Sequence, residues 1–340
     1  AMRLVERFGA DTLRVIEEEP ERLSTIKGIT AKKAMEISAA FRSLTGLRRV
    51  MEFLSRYELP VTLAMGLLRA YGDQTLERLK SNPYLLTDER CGVDFAAADE
   101  IALAMGFDGE DPCRTEAAVL YELQHNLSNG HVFLPRAKLI AATAQLIGVG
   151  ADAAEKALDD LAERQAVVCK PIANVEGCYL RRMYEAEVYV AKRLAAACGD
   201  AWDSGRNAEK IIDRIQTQQG IAYAPEQRRA VELAAERGVL LLTGGPGTGK
   251  TTSVRGIVAL FDAMGLDTLL LAPTGRATQR MSQLCGRDAQ TVHRALGMSW
   301  NELTGEVTFR KNEKEPLEAH AVIVDEMSMV DLELMASLLR

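Results

Sequence analysis

Gly244-Gly245-Pro246-Gly247-Thr248-Gly249-Lys250-Thr251 satisfies the pattern G-x-x-x-x-G-K-[ST] in full, and its surroundings decide the fold of the C-terminal third. The segment follows the apolar run Val239-Leu240-Leu241-Leu242, which reads as a buried strand, and opens a helix expected from Thr251 to Met264 that Gly265 stops. Glycines let backbone N–H groups wrap a triphosphate, and Lys250 supplies a cation at its β and γ phosphates. The Thr251 hydroxyl is a magnesium ligand in such a loop, and Thr252 continues the first helical turn. The expected nucleotide-binding set is Gly244 to Thr252, with ATP and Mg2+ as the ligands.

Working outward, a second strand from Thr268 to Ala272 follows the helix at crossover distance. A third, Ala321-Val322-Ile323-Val324, ends in Asp325-Glu326. Alone, that run is strand or helix core with a chance acidic end. Behind a phosphate loop it resembles a Walker B motif, in which Asp325 holds the metal and Glu326 polarises the attacking water. Tyr223-Ala224-Pro225-Glu226-Gln227 resembles the adenine-reading Q motif of helicases, since the Gln227 amide carries both a donor and an acceptor for the base. Ala272-Pro273-Thr274-Gly275-Arg276-Ala277 resembles motif Ia of superfamily 1 helicases, and Thr291-Val292-His293 their next DNA-contacting motif. Without that context His293 is an ordinary surface or core histidine.

The N-terminal hundred residues carry an internal repeat. AMRLVERFG from Ala1, AMEISAAFR from Ala34, AMGLLRAYG from Ala64 and ADEIALAMG from Ala98 place large apolar residues at helical spacing, and a glycine ends three of the four. Residues 1–23 align without gaps on 64–86. Ala1, Met2, Leu4, Gly9, Thr12, Leu13, Pro20 and Leu23 recur at an offset of 63, the mark of duplicated helical units.

Ahead of two of these helices stand Ile26-Lys27-Gly28-Ile29-Thr30-Ala31-Lys32-Lys33-Ala34 and Cys91-Gly92-Val93-Asp94-Phe95-Ala96-Ala97-Ala98, with the same Gly-to-Ala spacing. The first resembles the helix-hairpin-helix signature of non-specific DNA-binding proteins, whose glycines let backbone N–H groups approach a phosphate. Asp94 would repel a phosphate where Thr30 can donate to one, so the first hairpin is the expected binder, through Lys27, Gly28, Thr30, Lys32 and Lys33. Between Arg22 and Arg49, seven Lys or Arg face Glu36 alone, which makes a basic patch in an acidic protein. The alternative is a helical scaffold whose hairpins pack only on one another. Around Glu58-Leu59-Pro60 the hairpin pattern is absent, so that unit is expected to be structural.

From Asp111 to about Arg182 the pattern is helix (Glu116–Leu127), strand (132–134), two helices (138–147, 151–162) and a hairpin (167–170, 177–180). This suggests a winged helix, with a structural or partner-binding role as open as DNA contact. Tyr184 to Ala197 reads as a connecting helix and 198–205 as a linker.

Composition bounds the rest. With 47% hydrophobic and 26% charged residues in 340, the chain buries a real core and is neither disordered nor fibrous. The longest charge-free run, Leu139 to Ala151, is far short of the roughly 18 residues of a membrane span, and a soluble, cytoplasmic location is expected. Net charge is −7, which disfavours coating nucleic acid through overall charge but leaves local patches open. Cys91, Cys113, Cys169, Cys178, Cys198 and Cys285 lie apart without C-x-x-C spacing. They are expected as small buried hydrophobes in a reducing compartment rather than as zinc ligands or disulfides.

The wording LTGGPGTGKTT, APTGRA, TVHRALG and VDEMSMVD, behind hairpin repeats, resembles the RecD-like superfamily 1B DNA helicases in their long form with an extended N-terminal region. That resemblance implies ATP-driven 5′ to 3′ translocation and unwinding in DNA repair or recombination. The partner expected is DNA, single-stranded and at duplex junctions, with single-strand-binding or recombination proteins as further candidates and no membrane. The expected fold is multidomain: helix-hairpin-helix repeats (1–110), a winged-helix-like α+β domain (111–183), a connecting helix and linker (184–220), and an incomplete α/β RecA-like P-loop domain (221–340). Both ends read as cut, so a fragment without the second RecA-like domain and its arginine finger is expected to hydrolyse ATP poorly. A second reading is a nucleotide-switched adaptor or clamp-loader-like protein that does not unwind. Gln227 and the Thr274–Arg276 loop, which a switch does not need, argue against it.

Overall fold

The computed structural model describes residues 2–88, 91–199, 208–245, 247–300 and 307–340. These fall into two compact units that divide after Cys178.

The first unit opens with α1 (Met2–Phe8), a 3-10 turn at Gly9–Asp11, α2 (Thr12–Glu18) and a second 3-10 stretch at Pro20–Thr25. The long α3 (Ala31–Arg56) follows, and then the pattern returns. α4 (Leu63–Tyr71), a turn at Gly72–Gln74, α5 (Thr75–Ser81) and Pro83–Thr87 lead to α6 (Phe95–Ala104). The duplication extends to single hydrogen bonds. Thr12 Oγ1 donates to the carbonyls of Leu4 and Gly9 at 3.4 and 2.7 Å, and Thr75 Oγ1 to those of Leu67 and Gly72 at 3.2 and 2.6 Å. Gly9 and Gly72 both take positive φ, and Ile16/Leu79, Leu23/Leu86 and Ala34/Ala98 are buried in both copies.

At about 39 Å, α3 is a rod long enough to serve both copies. Its first turns pack Ala34, Ile37 and Phe41 against Val15, Ile16 and Leu23, while Val50, Phe53 and Leu54 join the larger core of Leu67, Leu79, Leu86, Phe95 and Ile101. Gly28 (φ +100) and Gly92 (φ +64) supply the left-handed step of their hairpins. Glu58, six residues ahead of Ala64 as Gly28 is ahead of Ala34, has φ +58. The hairpin expected to be lost therefore keeps the left-handed step, while the helix that follows starts two residues later and without a side-chain cap.

α7 (Pro112–Leu127), β1 (Phe133–Pro135), α8 (Arg136–Ile147), α9 (Ala151–Glu163), β2 (Val167–Ile172) and β3 (Val175–Leu180) follow. The three helices pack pairwise through Val119, Leu123, Leu139, Leu158 and Leu161, and the strands form a sheet in the order β1-β3-β2. Arg114 on α7 ties this part to the repeats. Its Nε and Nη2 donate to the two Asp99 oxygens at 2.8 and 2.9 Å, and Tyr84 Oη donates to Asp99 Oδ1 at 2.7 Å. Arg114 Nη1 reaches the Gly109 and Ile147 carbonyls. The cysteine expectation needs correcting here. Only Cys178 is fully buried, Cys198 is exposed, and Cys169 and Cys178 touch because the hairpin folds one onto the other.

The second unit contains α10 (Arg181–Gly199), α11 (Ala208–Gln219), α12 (Pro225–Glu236), α13 (Lys250–Ala263), β4 (Thr268–Ala272), α14 (Gly275–Cys285), β5 (Ala289–Thr291) and α15 (Val292–Ala295). It closes with β6 (Met298–Trp300), β7 (Val307–Phe309), β8 (Ala321–Val324) and α16 (Leu332–Leu338). α10 runs two residues into the stretch read as a linker, to Gly199, and further on Ile212 and Ile215 of α11 pack against Leu260 and Phe261 of α13. Residues 200–205 of that expected linker lie outside the described residues. β5, β4 and β8 form a parallel sheet in that order, with Ala272 opposite Thr291 and Leu271 opposite Val324; β6 and β7 pair antiparallel.

Val239–Leu242, expected as a buried strand, forms none, and Leu241 is 76% exposed. An apolar run is buried as a strand only where ladders or a covering layer receive it. Among the described residues no further strand follows β8 in the sheet order, and Val322 is exposed.

Gly256 lets α13 approach α12. A Cβ there would lie 2.7 Å from the Tyr223 hydroxyl and 2.9 Å from Val231 Cγ2. Gly256→Ala is expected to lower stability by about 1–3 kcal/mol from overpacking, less the helix-propensity gain, as read from the urea midpoint. Tyr223→Phe in the same background should recover part of that loss, because the buried hydroxyl has no partner among the described residues.

Candidate nucleotide and nucleic-acid site

Gly247 and Gly249 take φ +78 and +81, the backbone freedom that a loop turning its N–H groups inward requires. Pro246 lies outside the described residues. Within the loop, Thr248 Oγ1 donates to the Gly245 carbonyl at 2.9 Å, and Lys250 Nζ donates to the Gly244 carbonyl, which holds the ammonium across the loop. A Cβ on Gly244 would fall 2.7 Å from Thr248 Oγ1, so a larger residue there would have to displace that hydroxyl. Lys250 opens α13, with Thr251 and Thr252 half-buried behind it, so the loop carries a cation at the positive end of a helix. These residues fit a phosphate group, and Thr251 offers a hydroxyl suited to a hard divalent cation.

Gln227 is brought to the same loop. Its Oε1 accepts from the Ala224 N–H at 3.0 Å, and its amide nitrogen lies so close to Gly249 that any Cβ there would overlap it. The turn Ala224-Pro225 starts α12, so Gln227 sits in the first turn with its amide oriented by the backbone. One acceptor position is thereby engaged, while the NH2 group remains next to the loop.

α13 runs back along β4, because only residues 264–267 join the C-terminus of the helix to the start of the strand. Val254 and Val258 lie over Leu270 and Ile323. That places the Lys250 end at the carboxyl edge of the sheet, where all three parallel strands end. Asp325 leaves β8 there, its N–H donating to the Leu271 carbonyl at 2.9 Å, and its Oδ1 accepts from the Glu326 N–H at 2.9 Å. Glu326 is exposed at φ +52, a left-handed conformation that costs a non-glycine residue about 1–2 kcal/mol. Spacing alone does not reveal that strain.

Thr274, two residues past β4, and Thr291, the last residue of β5, lie at the same edge and cap the helices that follow. Thr274 Oγ1 accepts from Ala277 N–H and Thr291 Oγ1 from Arg294 N–H, each at 3.2 Å. Gly275 and Arg276 are exposed, and His293 is half-buried with its ring 6.4 Å from that of Phe309. Arg294, which the sequence reading passed over, is exposed beside His293 and adds a cation at this edge. Its only signal was position, one residue past a motif.

In the first unit, Lys27, Gly28, Thr30, Lys32 and Lys33 are all exposed around the Gly28 hairpin, and Thr30 Oγ1 caps α3 by accepting from Lys33 N–H at 3.3 Å. The three lysines make no ion pair among the described residues, whereas Arg22, Arg48 and Arg49 are matched by Glu19, Glu52 and Glu17. The free positive charge therefore concentrates at the hairpin. Asp94 caps α6 by accepting from Phe95 N–H and stays exposed, so the second hairpin presents a carboxylate.

A glycine loop opening a helix over a parallel sheet, behind duplicated hairpin helices, defines a P-loop protein with a helix-hairpin-helix region. Residues 227–340 match the family described as AAA domain, and residues 43–133 match the ATP-dependent RecD2 DNA helicase HHH domain. The whole chain is 30% identical to the ATP-dependent RecD2 DNA helicase of Deinococcus radiodurans and spans 48% of it. A third of the chain is 38% identical to the RecBCD enzyme subunit RecD of Mycobacterium tuberculosis, over 23% of that protein. A shorter stretch, 29% of the chain, is 36% identical to the ATP-dependent DNA helicase dda of phage T4, over 23% of it. The chain is similar to the RecD-like helicases, and its similarity to RecD2 runs from end to end. It spans about half the length of that relative and about a quarter of the others named. No described helix is long and apolar enough to cross a membrane.

Proposed function

We propose that this chain is the accessory DNA-binding region and first motor half of an ATP-dependent DNA helicase, moving 5′ to 3′ on single-stranded DNA in repair or recombination. The observation that carries the reading is the shared carboxyl edge of the sheet, to which the Lys250 end of α13, Asp325-Glu326, Thr274 and Thr291 all belong. Nucleotide chemistry and strand contact on one edge are what coupling hydrolysis to movement requires.

In this reading the loop N–H groups and Lys250 hold the ATP phosphates, and Gln227 orients the base through its NH2 group. Thr251 and Asp325 hold Mg2+, which neutralises phosphate charge when bound, and Glu326 orients and polarises the attacking water. Thr274, Gly275, Arg276, Thr291 and His293 contact the single strand. The β1-β3-β2 sheet with α7, α8 and α9 supports a winged helix, and the division at 110, 183 and 220 remains our proposal for the domains.

Strand displacement on a 5′-tailed duplex by the intact gene product tests the whole reading. ATP-dependent unwinding is expected; nucleotide-gated binding without unwinding would sink it. The Gly28 hairpin lies outside the matched range 43–133, so its role rests on charge and geometry. Lys32→Glu with Lys33→Glu is expected to weaken duplex binding and to flatten the slope of log affinity against log salt by about two. An unchanged slope would assign these lysines to scaffold.

A further inference from the structure

Cys169 and Cys178 are nine residues apart in sequence and neighbours in space. Counting outward from the turn Ala173-Asn174, Ile172 faces Val175 and Cys169 faces Cys178 across the β2–β3 hairpin. Directly opposed residues share a face of the sheet, with Cβ atoms about 4.5–5.5 Å apart, close to the span of a disulfide. The two sulfurs are 3.2 Å apart. Cys178 is fully buried and Cys169 half-buried, so Cys169 is the sulfur a reagent reaches first.

Their chemistry is divided in the same sense. The S–H of Cys178 held against it keeps the Cys169 thiol below its ordinary pKa, against the opposing effect of burial. That same hydrogen bond, and then burial, push Cys178 well above its own. Cys169 is thus the nucleophile of the pair and Cys178 the resolving thiol.

We infer that Cys169 and Cys178 are a modification site, a thiol pair placed to close into a disulfide across the hairpin when a small-molecule disulfide such as oxidised glutathione is the oxidant. The Cys169 thiolate attacks one glutathione sulfur, the glutathione S–S bond breaks, and one glutathione leaves as a thiolate that takes up a proton. Cys178 then gives up its proton, attacks the Cys169 sulfur of the mixed disulfide and expels the second glutathione. Two protein thiols lose two electrons and one oxidised glutathione becomes two thiols. The bond staples β2 to β3 and holds the β1-β3-β2 sheet against fraying.

The test incubates the chain with oxidised glutathione, alkylates the remaining thiols, digests and reads the peptides by mass spectrometry. The expected result is a peptide linking Cys169 to Cys178, with two of the six thiols lost, and a melting point several degrees higher that dithiothreitol reverses. Cys169→Ser, at a half-buried position, should melt like the reduced chain, give no linked peptide and show no shift on oxidation. Full alkylation of both cysteines after oxidation overturns the proposal. So does glutathione retained on Cys169 without closure, or crosslinking through the exposed Cys198 alone.

Discussion

Lys250→Ala is expected to abolish ATP binding. Calorimetric titration with ATP and Mg2+ should give a saturable heat for the unaltered chain and none for the variant. Two charge-assisted hydrogen bonds to phosphate oxygens contribute about 1.5–3 kcal/mol each, which together corresponds to roughly 10²- to 10⁴-fold in affinity. The fold should be untouched, since Lys250 is exposed and its only described side-chain bond is to the Gly244 carbonyl within the loop. An unchanged circular-dichroism melt with lost binding separates the phosphate role from a structural one. Retained affinity would refute the reading of this loop.

Asp99→Ala is expected to give a large loss of stability in the first unit. Arg114 and Asp99 are 13% and 15% exposed, and removing the carboxylate leaves the guanidinium largely buried without its bidentate partner and Tyr84 without its acceptor. Breaking a buried pair costs about 3–5 kcal/mol, and the residual exposure places this one near the lower figure. At roughly 2–4 °C per kcal/mol for a unit of this size, the melting point should fall by about 6–12 °C. A change below 2 °C would show that the pair is ornamental.

The effect should depend on pH with a definite sign. Hydrogen bonds from the Arg114 guanidinium hold the Asp99 carboxyl below its ordinary pKa, against burial, which raises it; the Tyr84 hydroxyl adds to the lowering. A group depressed in the folded state contributes stability above its unfolded pKa of about 4 and loses it as pH falls through the folded value. The difference between the unaltered chain and Asp99→Ala is therefore expected to be full at pH 6 and to shrink below about pH 4.

Much of the site was legible because its constraints are local. A phosphate loop needs left-handed glycines, a lysine and a hydroxyl in consecutive positions, and a Walker B pair needs an apolar strand with carboxylates at its end. Both are spelled in adjacent residues. The repeat was legible for a related reason: the Thr12 and Thr75 bonds span only eight residues, so the copies keep one another's letters. Glu58 marks the limit. Its backbone turn survives while the glycine that would announce it has gone, because the surrounding packing holds the residue in a conformation its own chemistry disfavours.

What escaped the sequence lies between elements. Nothing near Asp99 announces Arg114 fifteen residues on, nothing near Gly256 announces Tyr223, and the spacing of Cys169 and Cys178 becomes a contact only once a turn folds one strand onto the other. The apolar run at Val239–Leu242 erred the opposite way, since its letters suit a central strand but burial depends on neighbours the run does not encode. By itself the sequence determined the phosphate loop, the acidic strand end, the duplicated helices and the basic hairpin, each held by bonds within a few residues. Only the tertiary structure decided that Gln227 meets Gly249, that the strand ends share one edge and that two scattered cysteines form a pair. Such contacts join residues far apart in the chain, and their energy exists only after the backbone has closed the loops between them.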